Sequence, residues 1–240
     1  MDIIKIATIL TVYNRREKSI ACLEHLFAAT QAYNQKEKRI SLSVFLTDDG
    51  CTDGTTDAIR ALFPHEDIHI IEGTGTLFWA GGMRLAWQTA IDTATTWDYY
   101  LLLNDDTNIM CNCFDELFEA DEHGFTLTGL HGLSSGITCQ PGHTDETTYG
   151  GFLFTTKYKG VHVLAKPTGK PQAVDMTHAN ILLVYHDVVD TCGIFHKGFI
   201  HGAADEDYSM TAHRKGYPIM VTARVCGECE CDHDSSRSEI

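Results

Sequence analysis

Along the first hundred residues of the chain, short apolar runs alternate with stretches in which apolar residues recur at helical spacing. Four short runs are rich in apolar residues and bounded by polar ones, which is typical of strands. They lie at 3–12, 41–47, 68–72 and 99–103. Three helical stretches separate them, at 16–33, from 53 to the residue before Pro64, and at 81–96. Strands that alternate with helices at this spacing predict a parallel sheet with right-handed crossovers, as in a Rossmann-like half.

The second half of the chain is less regular in its pattern. Helices are predicted at 113–122, 187–191 and 205–215, strands at 125–130 and 151–155, and a loop rich in Gly, Ser and Thr at 131–150. The chain has no internal repeat, low-complexity tract or Gly/Ser linker. We therefore predict an α/β protein whose mostly parallel sheet carries helices on both faces.

Two adjacent carboxylates, Asp105 and Asp106, follow the apolar strand at 99–103. Burying two unpaired carboxylates is very costly, so they have to emerge where the strand ends. In open α/β sheets that edge is where ligands bind, and a carboxylate pair there suits a divalent cation carrying a phosphorylated ligand. The alternative is an ordinary strand-to-helix turn in which Asp106 or Asn108 caps a helix.

Polar clusters also follow the other three predicted strands, at 11–15, 47–55 and 73–84. A carboxylate near an aromatic ring can hold a planar base, a glycine pair lets the backbone approach phosphate, and an arginine can bind that phosphate. Each cluster alone has a simpler interpretation, as a turn, a helix start or a solvated helix charge. Four such clusters at four successive strand ends favour a single nucleotide site.

The formal net charge of the 240-residue chain is −15, which argues against nucleic acid and anionic membrane surfaces as partners. An anionic substrate would need a metal ion or nearby basic residues. No apolar stretch approaches the roughly 20 residues of a membrane span, and the N-terminus lacks a signal-peptide pattern. Nine irregularly spaced cysteines suit reduced thiols in a cytoplasmic protein.

The motifs together resemble those of family 2 glycosyltransferases, which are inverting enzymes with the GT-A fold. The matching segments are 11–15 (Thr-Val-Tyr-Asn-Arg), 48–55 (Asp-Asp-Gly-Cys-Thr-Asp-Gly-Thr), 104–106 (Asn-Asp-Asp), 182–195 and 205–217. The resemblance extends over nearly the whole chain and is closest to rhamnosyltransferase-like members. It implies a single GT-A domain over 1–240, in which 1–107 bind the nucleotide and 108–240 shape the donor-sugar and acceptor sites.

The residue chemistry and the resemblance together assign roles to individual positions. Nucleotide binding is assigned to Thr11, Tyr13, Arg15, Asp49, Gly81, Gly82, Arg84 and Asp105. The resemblance implies that Asp49 accepts the imide proton of the base, and that Asp106 holds a Mg²⁺ or Mn²⁺ ion bridging the diphosphate. His233 resembles a late histidine that meets the metal or diphosphate in some members.

Asp205 aligns with the catalytic base of the family, which removes the proton of the acceptor hydroxyl. Most members have Glu-Asp at this point, whereas this chain reads Ala-Asp-Glu-Asp over 204–207. Counting back from Gly216 selects Asp205, with Glu206 and Asp207 as alternatives. A further alternative is that these acids only favour the N-terminus of a helix.

The resemblance implies metal-dependent, inverting transfer of a sugar from a UDP- or dTDP-sugar to the hydroxyl of a carbohydrate or lipid-linked acceptor. Such a reaction would serve cell-surface polysaccharide or glycoconjugate synthesis, with peripheral association if the acceptor is membrane-bound. One alternative is a non-catalytic nucleotide- or metal-binding module with the same fold. Another is a sugar-nucleotide pyrophosphorylase, although the Gly-rich phosphate loop of that class is missing after the first strand.

A tight cluster of thiols lies near the C-terminus, at Cys226, Cys229 and Cys231. Together with His233 these thiols could bind zinc, but their spacing poorly matches that of common structural zinc sites. Alternating buried thiols on a late strand are the favoured interpretation.

Overall fold

The computed structural model describes residues 3–36, 39–156 and 162–231. Its helices are α1 (Arg16–Asn34), α2 (Thr55–Leu62), α3 (Phe78–Ile91), α4 (Cys113–Thr128), α5 (His186–Cys192) and α6 (Ala204–Arg214). The strands of the first half are β1 (Ile4–Val12), β2 (Ile40–Asp48), β3 (Ile68–Glu72), β4 (Tyr99–Leu103) and β5 (Asn108–Ile109). Those of the second half are β6 (Leu133–Gln140), β7 (His143–Thr147), β8 (Gly151–Phe154), β9 (His162–Leu164), β10 (Gln172–Ala173), β11 (Met176–Thr177), β12 (Ile181–Tyr185) and β13 (Ile219–Glu228).

A large mixed sheet forms the centre of the molecule, in the strand order β10-β13-β6-β12-β4-β1-β2-β3. The four strands predicted in the first half, β4, β1, β2 and β3, are all parallel, so their carboxyl ends meet at one edge. β12 runs antiparallel to β4 and joins the strands of the second half to this block. A small separate sheet is built from β11, β8 and β9. The predicted α/β class is confirmed.

Buried apolar side chains pack on both faces of the main sheet, because successive residues of a strand point to opposite sides. From β1, Ile6 and Leu10 join a cluster with Leu23 of α1, whereas Ile9 joins a cluster with Trp87 of α3. The predicted placement of helices on both faces is therefore confirmed. No helix among the described residues is long and apolar enough to cross a membrane.

Two predictions for the second half are wrong. The stretch 125–130 is no strand, since α4 continues through Phe125 to Thr128 and ends at Gly129, whose φ of 79° suits a helix C-cap. The predicted loop at 131–150 contains β6 and β7. β6 is buried between β12 and β13, and its Gly136 leaves no room for a side chain beside Ile181. This segment is a strand because of its packing against distant parts of the chain, which its local composition does not indicate.

Candidate functional site

A cavity of about 420 Å³ opens at the carboxyl ends of β1, β2 and β4. The predicted site residues that line it are Thr11, Tyr13, Arg15, Asp49, Asp105 and Asp106. Residues more than 90 positions apart in the sequence thus meet because three parallel strands end together. This edge of the sheet is the candidate site.

The carboxylate pair at the end of β4 is bridged by one guanidinium group. Arg15 Nη1 lies 3.2 Å from Asp105 Oδ1 and 2.7 Å from Asp106 Oδ2. Asp105 is buried and also accepts a hydrogen bond from Ser19 Oγ at 3.1 Å. Burial raises the pKa of Asp105 to about 6, although the charge of Arg15 opposes the shift. Arg15 therefore balances part of the charge that this pair carries.

Asp49 organises the loop between β3 and α3. Its Oδ1 accepts a hydrogen bond from Gly75 N at 2.8 Å, and its Oδ2 accepts one from Phe78 N at 2.9 Å. Phe78 has a φ of 56°, a conformation that is unusual for a residue with a side chain and that this bond helps to hold. Because each carboxylate oxygen has two lone pairs, Asp49 can still accept a bond from a ligand.

Asp49→Asn is expected to raise the KM for a nucleotide-sugar by roughly tenfold or more, with kcat less affected. The amide must place its NH₂ group against one of the two backbone N–H groups, so one bond of the loop is lost. Steady-state kinetics would measure the effect, with Asp57→Asn in the exposed part of α2 as a control for the lost charge. Lost turnover at unchanged KM would show that Asp49 does not serve donor binding.

The residues that line this cavity do not include Gly81, Gly82 and Arg84, whose assignment to nucleotide binding stays a prediction. α3 begins at Phe78, three residues earlier than predicted, so both glycines lie inside the helix and are buried. The Gly82 carbonyl accepts a hydrogen bond from Thr47 Oγ1 at 2.8 Å. Arg84 Nη1 instead donates to the Phe199 carbonyl at 2.7 Å. These residues position the elements around the cavity.

Gly82→Ala is expected to lower the free energy of unfolding by about 1–3 kcal/mol, because a Cβ would overlap Thr11 Oγ1. Gly81→Ala is the matched control, since its Cβ would lie 3.1 Å from Leu77 Cβ and alanine favours a helix interior by up to about 1 kcal/mol. Urea denaturation would compare the two. Equal stability of both variants would contradict the close approach of α3 to β1.

A second cavity of about 280 Å³ adjoins the first and shares Trp79, Asn104, Asp106 and His201 with it. Its other lining residues come from the second half of the chain. They are Tyr149, His178, Asn180, Gly202, Ala203, Asp205, Glu206 and Cys229. The two cavities therefore form one cleft with Asp106 on their common wall.

Asp205 lies in the first turn of α6 and is almost fully buried. Its Oδ2 accepts a hydrogen bond from Ala179 N at 2.9 Å, and its Oδ1 accepts one from Glu206 N at 3.1 Å. Burial raises the pKa of Asp205, and the nearby His178 opposes the shift. A carboxylate with a raised pKa is a stronger base than an exposed one.

The two alternatives to Asp205 differ in their position. Glu206 also lines the second cavity, and its Oε1 lies 3.4 Å from His178 Nε2. Asp207 does not line it. Asp205 and Glu206 therefore both reach this cavity, although they are adjacent in α6.

Other cleft residues carry weak sequence signals. Trp79 donates a hydrogen bond through Nε1 to Asn104 Oδ1 at 2.8 Å. Asn180 has no motif around it that would indicate a site, and the sequence points to Cys229 only as part of the thiol cluster. Asn180 reaches the cleft because its carbonyl accepts a bond from Asn104 N where β12 meets β4. Only the pairing of these distant strands reveals it.

The metal candidates named from the sequence have different outcomes. His233 lies outside the described residues. Cys226, Cys229 and Cys231 form no metal-binding group in the described part of the chain: the first is buried in the core, the second lines the cleft and the third is exposed. Of the three thiols only Cys226 lies within β13, and the zinc hypothesis, which includes His233, stays a prediction.

One cluster of three potential ligands occurs among the described residues, at His186, Asp187 and Asp190. It begins directly after β12, whose last residue Tyr185 pairs with Tyr99 at the start of β4. Asp105 and Asp106 follow the other end of β4. The cluster thus lies at the opposite edge of the sheet from the cleft.

No protein-family model and no curated protein matches this chain. Solved structures do match it over nearly its whole length. A mannosyltransferase from Pyrobaculum calidifontis in complex with GDP-Man and Mn²⁺ has a TM-score of 0.65 at 17% identity, covering 96% of this chain and 58% of that one. S. aureus TarS 1–349 in complex with UDP-GlcNAc has a TM-score of 0.61 at 14% identity, covering 97% of this chain and 61% of that one.

This chain spans about three fifths of the length of these structures. At such low identity the likeness concerns the fold. The fold is of the GT-A type, as predicted from the sequence.

Proposed function

We propose that this protein is a metal-dependent glycosyltransferase that moves a sugar from a nucleotide-sugar to an acceptor hydroxyl. The observation that carries the proposal is the single cleft in which Asp49, the Asp105–Asp106 pair and the buried Asp205 meet. The solved structures of the same fold that hold UDP-GlcNAc or GDP-Man support a nucleotide-sugar as the ligand.

The first cavity is the proposed donor site. Tyr13 and Phe78 are both half-exposed aromatic residues on its wall and offer ring faces to a base, close to the carboxylate of Asp49. Arg15 is the only Lys or Arg among the described residues that line this cavity. Its guanidinium is the protein group best placed to bind a diphosphate, through charge-assisted hydrogen bonds.

The carboxylate pair fits a divalent cation by the chemistry of its oxygen donors. Asp106 Oδ2 is held by Arg15, whereas Oδ1 is directed to the other side, towards the second cavity. We propose that Asp106 holds Mg²⁺ or Mn²⁺ with Asp105 beside it, and that His233 is a further ligand. When bound, the cation would balance negative charge on the departing nucleoside diphosphate.

The second cavity is the proposed acceptor site, and Asp205 is the proposed base. Its carboxylate would take the proton of the acceptor hydroxyl as the hydroxyl oxygen attacks the anomeric carbon from the face opposite the leaving group. This direct displacement inverts the configuration and needs no covalent intermediate. Asp106 lies on the wall between the cavities, so a donor sugar held there would face the acceptor.

Finer assignments follow from the sequence resemblance. They are a rhamnosyltransferase-like activity, a UDP- or dTDP-linked donor, a carbohydrate or lipid-linked acceptor, and a place in cytoplasmic synthesis of cell-surface polysaccharide or glycoconjugate. The division into a nucleotide-binding part (1–107) and a sugar-binding part (108–240) agrees with the lining of the two cavities. Most residues of the first cavity precede 107, and most residues found only in the second follow it.

Isothermal titration with UDP, dTDP and GDP, with and without Mn²⁺, tests the donor site. A donor-hydrolysis assay then separates an enzyme from a non-catalytic module of the same fold. We expect Mn²⁺-dependent binding of one nucleotide and slow hydrolysis of its sugar conjugate. Binding without any turnover of a donor and acceptor panel would favour the module.

A further inference from the structure

The cleft contains a buried thiol next to the proposed cation site. Cys229 directly follows β13 and is only 3% exposed. Its backbone N–H donates to the Cys139 carbonyl at 3.0 Å, which fixes the chain at this point. Its Sγ lies 3.9 Å from Asp106 Oδ1, on the wall of the second cavity. The sulfur and the carboxylate follow two strands, β13 and β4, that are far apart in the sequence.

The carboxylate oxygen involved is the one that Arg15 does not hold. Arg15 bonds to Asp106 Oδ2, so Oδ1 and the sulfur lie together on the other side of the carboxylate. Asn180 Nδ2 donates to the same sulfur at 3.5 Å. A sulfur that accepts a hydrogen bond from an amide is stabilised as an electron-rich donor atom.

The separation of the two atoms matches that of two ligands on one ion. A tetrahedral cation about 2.0 Å from a carboxylate oxygen and about 2.3 Å from a sulfur holds these atoms about 3.5 Å apart. The observed 3.9 Å differs from this by a few tenths of an ångström, which a rotation of either side chain can supply.

We infer that Cys229 is a ligand of the divalent cation bound by Asp106, and that this site binds Co²⁺ and Cd²⁺ more tightly than Mg²⁺. The inference rests on the proposed function and adds to it the choice of cation. Thiolates favour the softer transition metals, whereas Mg²⁺ prefers oxygen ligands and water. On binding, the sulfur–metal bond forms as the thiol releases its proton to solvent.

Titration of the full chain with Co²⁺ tests this inference, because a cobalt–thiolate bond produces a charge-transfer absorption band in the near ultraviolet. We expect a saturable band in the wild type and in Cys231→Ser, which removes an exposed thiol two residues further on. The band should disappear in Cys229→Ser. In Asp106→Asn the affinity for Co²⁺ should fall by roughly 10-fold or more, since removing even a hydrogen-bonded partner of a metal ligand costs about 10- to 100-fold.

Thermal melting of each variant would confirm folding, and Cd²⁺ displacement of the bound Co²⁺ provides a second measurement. A band that persists in Cys229→Ser, or that is unchanged in Asp106→Asn, would overturn the inference. Wild-type protein that binds UDP with Mn²⁺ but shows no cobalt–thiolate band would overturn it as well, while the proposed function stands. Failure of the wild type to bind any nucleoside diphosphate with any cation would overturn both.

Discussion

Replacing Asp205 by Asn is expected to lower sugar transfer by about two to four orders of magnitude and leave nucleotide-sugar affinity nearly unchanged. The amide keeps an oxygen for one of the two backbone N–H groups that Asp205 binds, but it cannot remove a proton from the acceptor. The transfer rate at saturating donor measures the effect.

The pH dependence of transfer gives the same prediction a second readout. Because burial raises the pKa of Asp205, the carboxylate becomes protonated at a higher pH than an exposed aspartate. The rate should therefore fall on acidification at a pH above the usual carboxyl range. The residual activity of Asp205→Asn should lack this acidic limb.

Two neighbouring acids serve as controls for the catalytic assignment. Glu206→Gln should be milder, because the Glu206 carboxylate is already paired with His178. Asp207→Asn should have little effect on transfer, since Asp207 does not line the cleft. Near-normal transfer by Asp205→Asn together with loss of activity in Glu206→Gln would identify Glu206 as the catalytic base. Activity in all three variants would mean that these acids only stabilise the start of α6.

The second large effect is expected from Asp106→Ala, which should reduce transfer by roughly 100-fold or more. The chain has a net charge of −15 and the site adds two carboxylates, so a diphosphate should bind poorly without a cation. EDTA should abolish the activity of the wild type. In Mn²⁺, the affinity of Asp106→Ala for UDP or GDP should fall to the value that the wild type shows in EDTA.

Asp190→Ala is the matched control for the loss of a carboxylate that could bind metal. Asp190 belongs to the cluster at the opposite edge of the sheet, so its loss should leave nucleotide affinity and transfer unchanged. Undiminished nucleotide affinity of the wild type in EDTA would count against Asp106 as a ligand. If nucleotide binding by Asp190→Ala no longer depended on a cation, the cation would belong to the cluster of His186, Asp187 and Asp190.

The sequence was sufficient for the parts of the site that depend on local pattern. Strands β1, β2 and β4 are rich in apolar residues, and the polar residues directly after them have to lie at one edge if the strands are parallel. The structure accordingly has Arg15, Asp49, Asp105 and Asp106 around one cavity. Their chemical roles stay predictions.

The features of the fold and the site that depend on contacts between distant segments could not be predicted from local sequence pattern. Gly82 could not be recognised as a packing residue until α3 was seen to start at Phe78 and to press against Thr11. The sequence of β6 resembles a loop because it contains Ser and Gly residues. These residues are buried because β6 pairs with β12 and β13, which come much later in the chain. Cys229 likewise reaches the cleft because it directly follows β13.

Hydrolysis of a panel of nucleotide-sugars tests the central claim most directly. The wild type and Asp106→Ala would be incubated with UDP-, dTDP- and GDP-linked sugars, in Mn²⁺ and in EDTA, with release of the nucleoside diphosphate as the readout. The proposed function predicts that the wild type releases the diphosphate from one class of donor in Mn²⁺ only, and that Asp106→Ala does not. Release that is equal in EDTA or unaffected by Asp106→Ala would contradict it.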